Sequence, residues 1–373
     1  MRRTRNGPRD GVTLVEMLVV VAIVAILIGL LLPAIQRVRE TSRKTQCSVK
    51  LKHLGLAHQG FVDMRGYFVF ADGTTNAGTR GTTPIGNEGT INGLVYLIDF
   101  LEETANWQVL FRTSTVPATV DGQAVNGYFR PGTAVAAYGP PRDFLYYQPW
   151  RQSLQVMLCP SSPPGDPYLD FTIPMPTPNR RNYFLCYGDK IYNNHATLNT
   201  RGVFGFQSRT KYKDITDGTS KTILMSEVAS NKDATDIHGL GAQGRSGMNS
   251  NPASCLATAS AGRYTVPVQN GRPLTSLWHS SLIAFVGFNT VLPPNSPTCL
   301  ADTYGDSWAL ASASSYHDRG VNVLMADGSV RFITDNVDTG NLSAAEVTTG
   351  QSPYGVWGAL GTLASGESRD TAD

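Results

Sequence analysis

Gly11-Val12-Thr13-Leu14-Val15-Glu16 opens the stretch GVTLVEMLVVVAIVAILIGLLL, residues 11–32, whose reading decides the fold. From Val12 to Leu32 it holds 21 residues with one charge, Glu16, and no proline. A helix of that length, at ~1.5 Å per residue, matches the ~30 Å hydrocarbon core of a bilayer. Arg2, Arg3, Arg5 and Arg9 precede it, and Arg37, Arg39, Arg43, Lys44, Lys50 and Lys52 follow it. A cleaved secretory signal explains the basic start, but its apolar region spans ~7–15 residues and ends at a small-residue site. This run instead continues to Leu32 and meets Pro33. An ordinary signal anchor has the right length and leaves Glu16 without a reason, because a carboxylate inside a membrane is costly unless paired.

Outward from that helix, the 373 residues give room for one large domain or two smaller ones with ample core. The formal net charge of +2 gives no basic excess of the kind that marks a nucleic-acid binder. From His53 onward the chain is net acidic, so its positive charge is concentrated on the two flanks of the apolar run. Basic residues on both sides leave the charge rule for membrane orientation nearly balanced.

After Pro33 the spacing predicts that the helix continues with a kink, because Cys47, Leu51, Leu54, His58 and Phe61 recur at intervals of four and three on one face. Gly60 and Gly66 place its end between them. His53 and His58 lie about 140° apart around a helix and do not form the i, i+4 metal pair. Beyond residue 66 the pattern turns β-like. Leu94, Leu97, Ile98, Leu101 and Trp107 outline a second short helix, and residues 160–178 carry seven prolines in an extended or looped stretch. Asp214–Lys221 reads as a turn feeding a strand at Thr222–Met225, and Asp327-Gly328 reads as the turn of a hairpin between 320–326 and 329–333.

The basic leader, Gly11, Val12, Glu16 and the apolar run resemble the prepilin-type N-terminal cleavage and methylation motif of type IV pilins and type II secretion pseudopilins. The resemblance implies that a prepilin peptidase cuts after Gly11 and methylates the amine of Val12. It also implies that Glu16, fifth in the mature chain, pairs with the amine of a neighbouring subunit. The family's usual residue after the cut is Phe, where this chain has Val12. A second resemblance rests on LKHLGLAHQGF at 51–61, Cys159-Pro160-Ser161-Ser162, KDITDGTSKTILMSE at 213–227, and His317 followed after nine residues by Asp327-Gly328. These are similar to a large bacterial family that shares the leader, domain of unknown function family 1559, with its C-terminal H-x9-DG motif.

Two readings of that motif stay open. His317, Asp318 and Asp327 could bind a metal or do acid/base work, or His317 locks the hairpin by a hydrogen bond while Asp327-Gly328 makes the turn. No cofactor is expected except calcium, which secretion-type pseudopilins can carry, with Asp214, Asp217, Asp302 and Asp306 as loop carboxylates; no EF-hand spacing is present. Walker A, H-E-x-x-H, G-x-S-x-G and C-x-x-C patterns are all absent. Of the five cysteines, Cys159–Cys186 and Cys255–Cys299 close the shortest loops, with Cys47 left over; five reduced core thiols are the alternative.

Together these readings predict an α+β, pilin-like fold: a long N-terminal transmembrane helix packed on an antiparallel β-sheet, with an inserted β-rich subdomain at about 110–310. The expected division is a leader at 1–11, a transmembrane helix at 12–32, its continuation at 33–65, an exported domain at 66–360 and a flexible tail at 361–373. The expected protein is a non-enzymatic, single-pass inner-membrane pilus- or type II secretion-like filament subunit, N-terminus cytoplasmic and bulk in the periplasm or at the cell surface. Its expected partners are prepilin peptidase, membrane lipid and other pilin-like subunits, with no nucleic acid. The alternative is a monomeric anchored binding domain that uses the leader for sorting alone.

Overall fold

The computed structural model describes residues 14–71, 84–101, 107–120, 123–124, 131–142, 144, 147–164, 180–269 and 273–366. Gly11 and Val12 lie outside the described residues, as do most of the proline-rich stretch and the end of the tail. The chain divides into two compact units, Met1–Thr45 and Gln46–Asp373.

Helix α1, Leu14–Arg65, contributes to both units and continues through Pro33. In the first unit every residue from Leu14 to Arg39 is exposed, and the most apolar 18-residue window has a mean hydropathy of 3.2 with none of it buried. A helix apolar on all sides has no solvent-facing side to offer water, so its surface suits lipid or other helices. Thr41 and Thr45 donate back to the carbonyls of Arg37 and Thr41, and Glu40 pairs with Arg43.

In the second unit α1 changes character. Cys47, Leu51, Leu54, Ala57, His58, Phe61 and Val62 are all buried, which is the one-sided stripe expected of a helix lying on a core. The helix ends where the glycine signal placed it: Gly66, at φ +79°, donates its N–H to the Val62 carbonyl.

The central sheet is built from β1 (Tyr183–Cys186), β2 (Ile223–Glu227), β4 (Gly287–Phe288), β7 (Gly320–Met325) and β8 (Val330–Thr334), in the order β4-β1-β2-β7-β8. Its pairings are antiparallel except at the β4 edge, where β4 runs parallel to β1. On one face Tyr183, Leu185, Met225 and Leu324 join Leu51, Leu54 and Phe61 of α1 in one hydrophobic cluster. On the other, Phe184, Cys186, Ile223, Val321, Val323 and Met325 pack with Trp357 and Leu360 of α2 (Gly355–Gly361). A sheet covered on both faces needs apolar residues in both alternating sets, which is why β1 reads as an unbroken apolar run and β2 and β7 are interrupted only by Ser226, Glu227 and Asn322. The predicted hairpin is present, with Val323 opposite Arg331 and Gly328 at φ +81° in the turn.

β1 and β2, two inner strands of the central sheet, come from inside the β-rich stretch at 110–310. A second sheet, β6-β5-β3 (Ala309–Leu310, Thr298–Leu300, Gly241–Ala242), belongs to the same unit. The unit boundary falls at Thr45/Gln46, within the helix, because burial begins at Cys47. The expected tail from 361 is held as far as 366: Thr362 is buried, Leu363 donates to the Arg201 carbonyl, and Asp217 accepts from the N–H groups of Ser365 and Gly366. The short helix at Leu94–Leu97 passes into a 3-10 turn, Ile98–Phe100, and its five predicted apolar residues are buried.

Candidate functional site

The four stretches that carry the second resemblance meet, directly or through their neighbours, around one buried point. β2 ends at Glu227, the last residue of 213–227. The loop entering β7 supplies His317, whose Nε2 lies 3.2 Å from Glu227 Oε1, with the two side chains 0% and 2% exposed. Cys159 Sγ sits 3.7 Å from His317 Nε2 and 3.8 Å from Glu227 Oε1. Cys47, one turn before Leu51 on α1, completes the group through a disulfide to Cys159. Among the described residues this is the group of metal-capable side chains, with one ligand atom from each lying within 4.8 Å of the others.

The surroundings hold these atoms in place. Asn322, opposite Phe332 on β7, donates its backbone N–H to Glu227 Oε2 at 2.8 Å and its side-chain amide to Oε1 at 3.0 Å. His317 N–H donates to Ser315 Oγ, which donates in turn to the Gly320 carbonyl at 2.6 Å. Asn182 accepts the Cys159 N–H and donates to the Val228 carbonyl, tying the cysteine loop to the end of β2. Tyr183 donates its hydroxyl to the Cys47 carbonyl; burial first, and then the Glu227 charge, holds that phenol well above its ordinary range. A small cavity lined by Cys159, Ser162, Asn182, Glu227, Ser314 and Tyr316, with room for about one water molecule, adjoins the cluster.

The two halves of the H-x9-DG pattern are not neighbours. His317 enters β7 and Asp327-Gly328 leaves it, so the strand lies between them. His317 turns to Glu227 on the adjacent strand, at the end of β7 away from Asp327. Asp327 Oδ1 accepts from the Ser329 N–H and hydroxyl, and the Asp327 N–H donates to the Thr219 carbonyl, which docks the turn on the 213–227 stretch.

The cysteine pairing also differs from the shortest-loop expectation. Cys47 joins Cys159 across 112 residues, Cys255 joins Cys299, and Cys186 is a free, buried thiol. Strand alternation explains the difference. Tyr183 and Leu185 face α1, so Cys186 points to the α2 side, away from Cys159. Burial pushes the Cys186 thiol up to about 12, which leaves it a packing residue.

Asp302 and Asp306 share one turn, and Asp214 and Asp217 lie three residues apart in another stretch. Asp302 accepts backbone N–H groups from Tyr304, Asp306 and Ser307, among others. Asp214 accepts from Lys211 N–H, Asp217 holds 365–366, and Asp306 approaches Arg142 at 3.9 Å. Glu16 is exposed in the first turn of α1. Sequence reasoning missed Glu227 and the partner of Cys47; the signal for Glu227 was its place as the acidic end of an otherwise apolar strand.

The family described as Protein of unknown function (DUF1559) matches residues 36–340, which include Cys47, Cys159, Glu227, His317 and Asp327. The prokaryotic N-terminal methylation motif matches residues 8–32. No curated protein and no solved structure matches the chain.

Proposed function

This chain belongs to the family described as Protein of unknown function (DUF1559) and carries the prokaryotic N-terminal methylation motif, and from that premise we propose that it is a filament subunit. Prepilin peptidase cuts it after Gly11 and methylates Val12, and the apolar helix then passes from the inner membrane into a type IV pilus- or type II secretion-like assembly. The N-terminus begins in the cytoplasm and residues 46–373 lie on the exported side.

The observation that carries this reading is the stretch of α1 from Leu14 to Leu32: an apolar surface with no buried residue, interrupted once, by Glu16. By resemblance to prepilins, Glu16 pairs with the amine freed at Val12 of an adjacent subunit, a charge pairing that offsets the cost of a carboxylate in apolar surroundings. Packing between helices 12–32 would form the filament core, with Gly29 allowing close approach. The two disulfides fit the exported side, where the compartment is oxidising. Nothing in this reading requires the protein to be an enzyme.

The test is the intact mass and N-terminal sequence of the protein from its native membrane, with a Glu16→Ala variant in parallel. A chain beginning at N-methylated Val12 is expected, and the variant should be processed and membrane-bound but missing from sheared surface filaments. Retention of Met1, or cleavage beyond Leu32, would overturn the proposal. Processed parent protein that is itself absent from sheared filaments would assign the helix to anchoring a monomeric binding domain, and Glu16→Ala protein that still assembles would take Glu16 out of the assembly mechanism.

A further inference from the structure

We propose that Cys47, Cys159, Glu227 and His317 form a zinc site when the two cysteines are reduced, so that one buried cluster has a disulfide state and a metal state. This goes beyond the filament reading and does not depend on it.

The geometry carries the argument. Zinc in a structural site is tetrahedral, with bonds of ~2.3 Å to sulfur and ~2.0–2.2 Å to nitrogen or oxygen. Those lengths set ligand-to-ligand edges of roughly 3.6 Å for sulfur to nitrogen or oxygen, and roughly 3.4 Å for nitrogen to oxygen. In the structure Cys159 Sγ is 3.7 Å from His317 Nε2 and 3.8 Å from Glu227 Oε1, and the nitrogen and oxygen are 3.2 Å apart. Three edges of the tetrahedron are therefore already set to within a few tenths of an ångström. The other three edges run to Cys47 Sγ: the one between the sulfurs, occupied by the covalent bond, must open to ~3.8 Å, and those to His317 Nε2 and Glu227 Oε1 start within 4.8 Å.

The donor set has the right chemistry. Two thiolates, one imidazole and one carboxylate match zinc's preference for sulfur and nitrogen ligands, whereas calcium and magnesium require mostly oxygen. All four side chains are buried, so the site would be closed, as structural zinc sites are. Glu227 is oriented by both donors of Asn322, the outer support that metal-ligating carboxylates carry. Lys50, one turn after Cys47, donates to the Leu158 carbonyl at 2.7 Å and brings a positive charge beside both cysteine segments. The small cavity against Cys159 and Glu227 adjoins the cluster and leaves room beside the ligand atoms.

The exchange balances. A dithiol reductant gives two electrons and two protons to the Cys47–Cys159 bond, becoming a disulfide itself and leaving two thiols. Zinc then displaces one proton from each thiol and binds both thiolates, with neutral His317 and ionised Glu227 completing the shell. An oxidising disulfide reverses this: the sulfur–sulfur bond re-forms, two electrons pass to the oxidant, and zinc is released.

Full-length protein in detergent, reduced by a dithiol and freed of metal, should be titrated with cobalt(II) and then zinc under anaerobic conditions. One cobalt per chain is expected, with the intense visible bands of a tetrahedral site, thiolate-to-cobalt charge transfer, and displacement by one equivalent of zinc. Oxidised protein should take up none. His317→Ala and Glu227→Gln should each weaken zinc binding by more than the ~10–100-fold typical of outer-shell changes, while the Cys255→Ser/Cys299→Ser double variant should bind as the parent does. The cobalt spectrum of the unaltered chain is the readout that survives if a variant fails to fold. Reduced parent protein, folded or unfolded, that shows no stoichiometric tetrahedral cobalt would overturn the proposal. Undiminished binding in both His317→Ala and Glu227→Gln would do the same.

Discussion

The two parts of helix α1 obey different rules although the backbone does not break between them. From Leu14 to Arg39 the side chains are exposed on every face and mostly apolar up to Leu32. From Cys47 to Val62 apolar side chains fall on one buried stripe, while Lys52, His53 and Leu56 face outward. The same local conformation therefore serves two solvents. The second part draws stability from the sheet it covers, and the first buries no side chain among the described residues, leaving an apolar surface that suits lipid or neighbouring helices. Secondary structure alone does not separate the two; the period of the apolar pattern does.

The largest expected effect that separates them is at Cys47. Replacing the bridge by Cys47→Ser/Cys159→Ser releases a 112-residue loop in the unfolded chain. Chain-entropy reasoning puts the loss at about 4–5 kcal/mol under oxidising conditions. Urea unfolding of the oxidised protein in detergent should show a lower midpoint for residues 46–373. An unchanged midpoint would mean that the helix is held by packing alone. The next effect contrasts two leucines of α1. Leu54→Ala, at a fully buried position, should cost about 2–5 kcal/mol in the same measurement. Leu18→Ala, at a position 63% exposed, should stay within about 0.5 kcal/mol. Equal effects at the two positions would abolish the distinction.

Much of this contrast is legible in the sequence. The 4, 3, 4, 3 spacing of Cys47, Leu51, Leu54, His58 and Phe61 marks the buried stripe, and Asp327-Gly328 between β-branched runs marks the hairpin, because both signals are local. What depends on distant segments is not legible. Cys159 selects Cys47 over Cys186 because strand alternation sends Cys186 to the far face of the sheet, a fact invisible until α1 is known to lie on the Tyr183 face. The partner of His317 is 90 residues earlier, at the end of a strand that is not its hairpin mate. A search for ligands at short spacing finds Asp318 and Asp327 and passes over Glu227. The second sheet was hidden for a related reason: its strands of two or three residues are too short to show a period.

The smallest effect per unit change tests the buried stripe from inside. His58 packs between Phe68 and Phe204, with ring centroids 6.4 and 5.5 Å away, and among the described residues neither of its ring nitrogens has a hydrogen-bond partner. Burial lowers its pKa to about 3 from an ordinary value of 6.5. Between those two values the unfolded chain binds a proton that the folded chain refuses, so stability is complete above pH 6.5 and falls as the pH drops toward 3. The slope from this one group is at most ~1.4 kcal/mol per pH unit. His279 is also buried and lowered to about 3, and adds acid sensitivity of the same sign. His58→Leu should remove only its own share, making the stability curve between pH 6 and 4 shallower by up to ~1.4 kcal/mol per unit while His279 keeps the remaining slope positive. Urea unfolding across that range measures it. An unaltered slope would show that the histidine charges freely in the folded protein, which a residue sealed between the helix and its aromatic neighbours cannot do, and the claim that α1 turns from a lipid-facing rod into a core helix would fail at its most buried polar position.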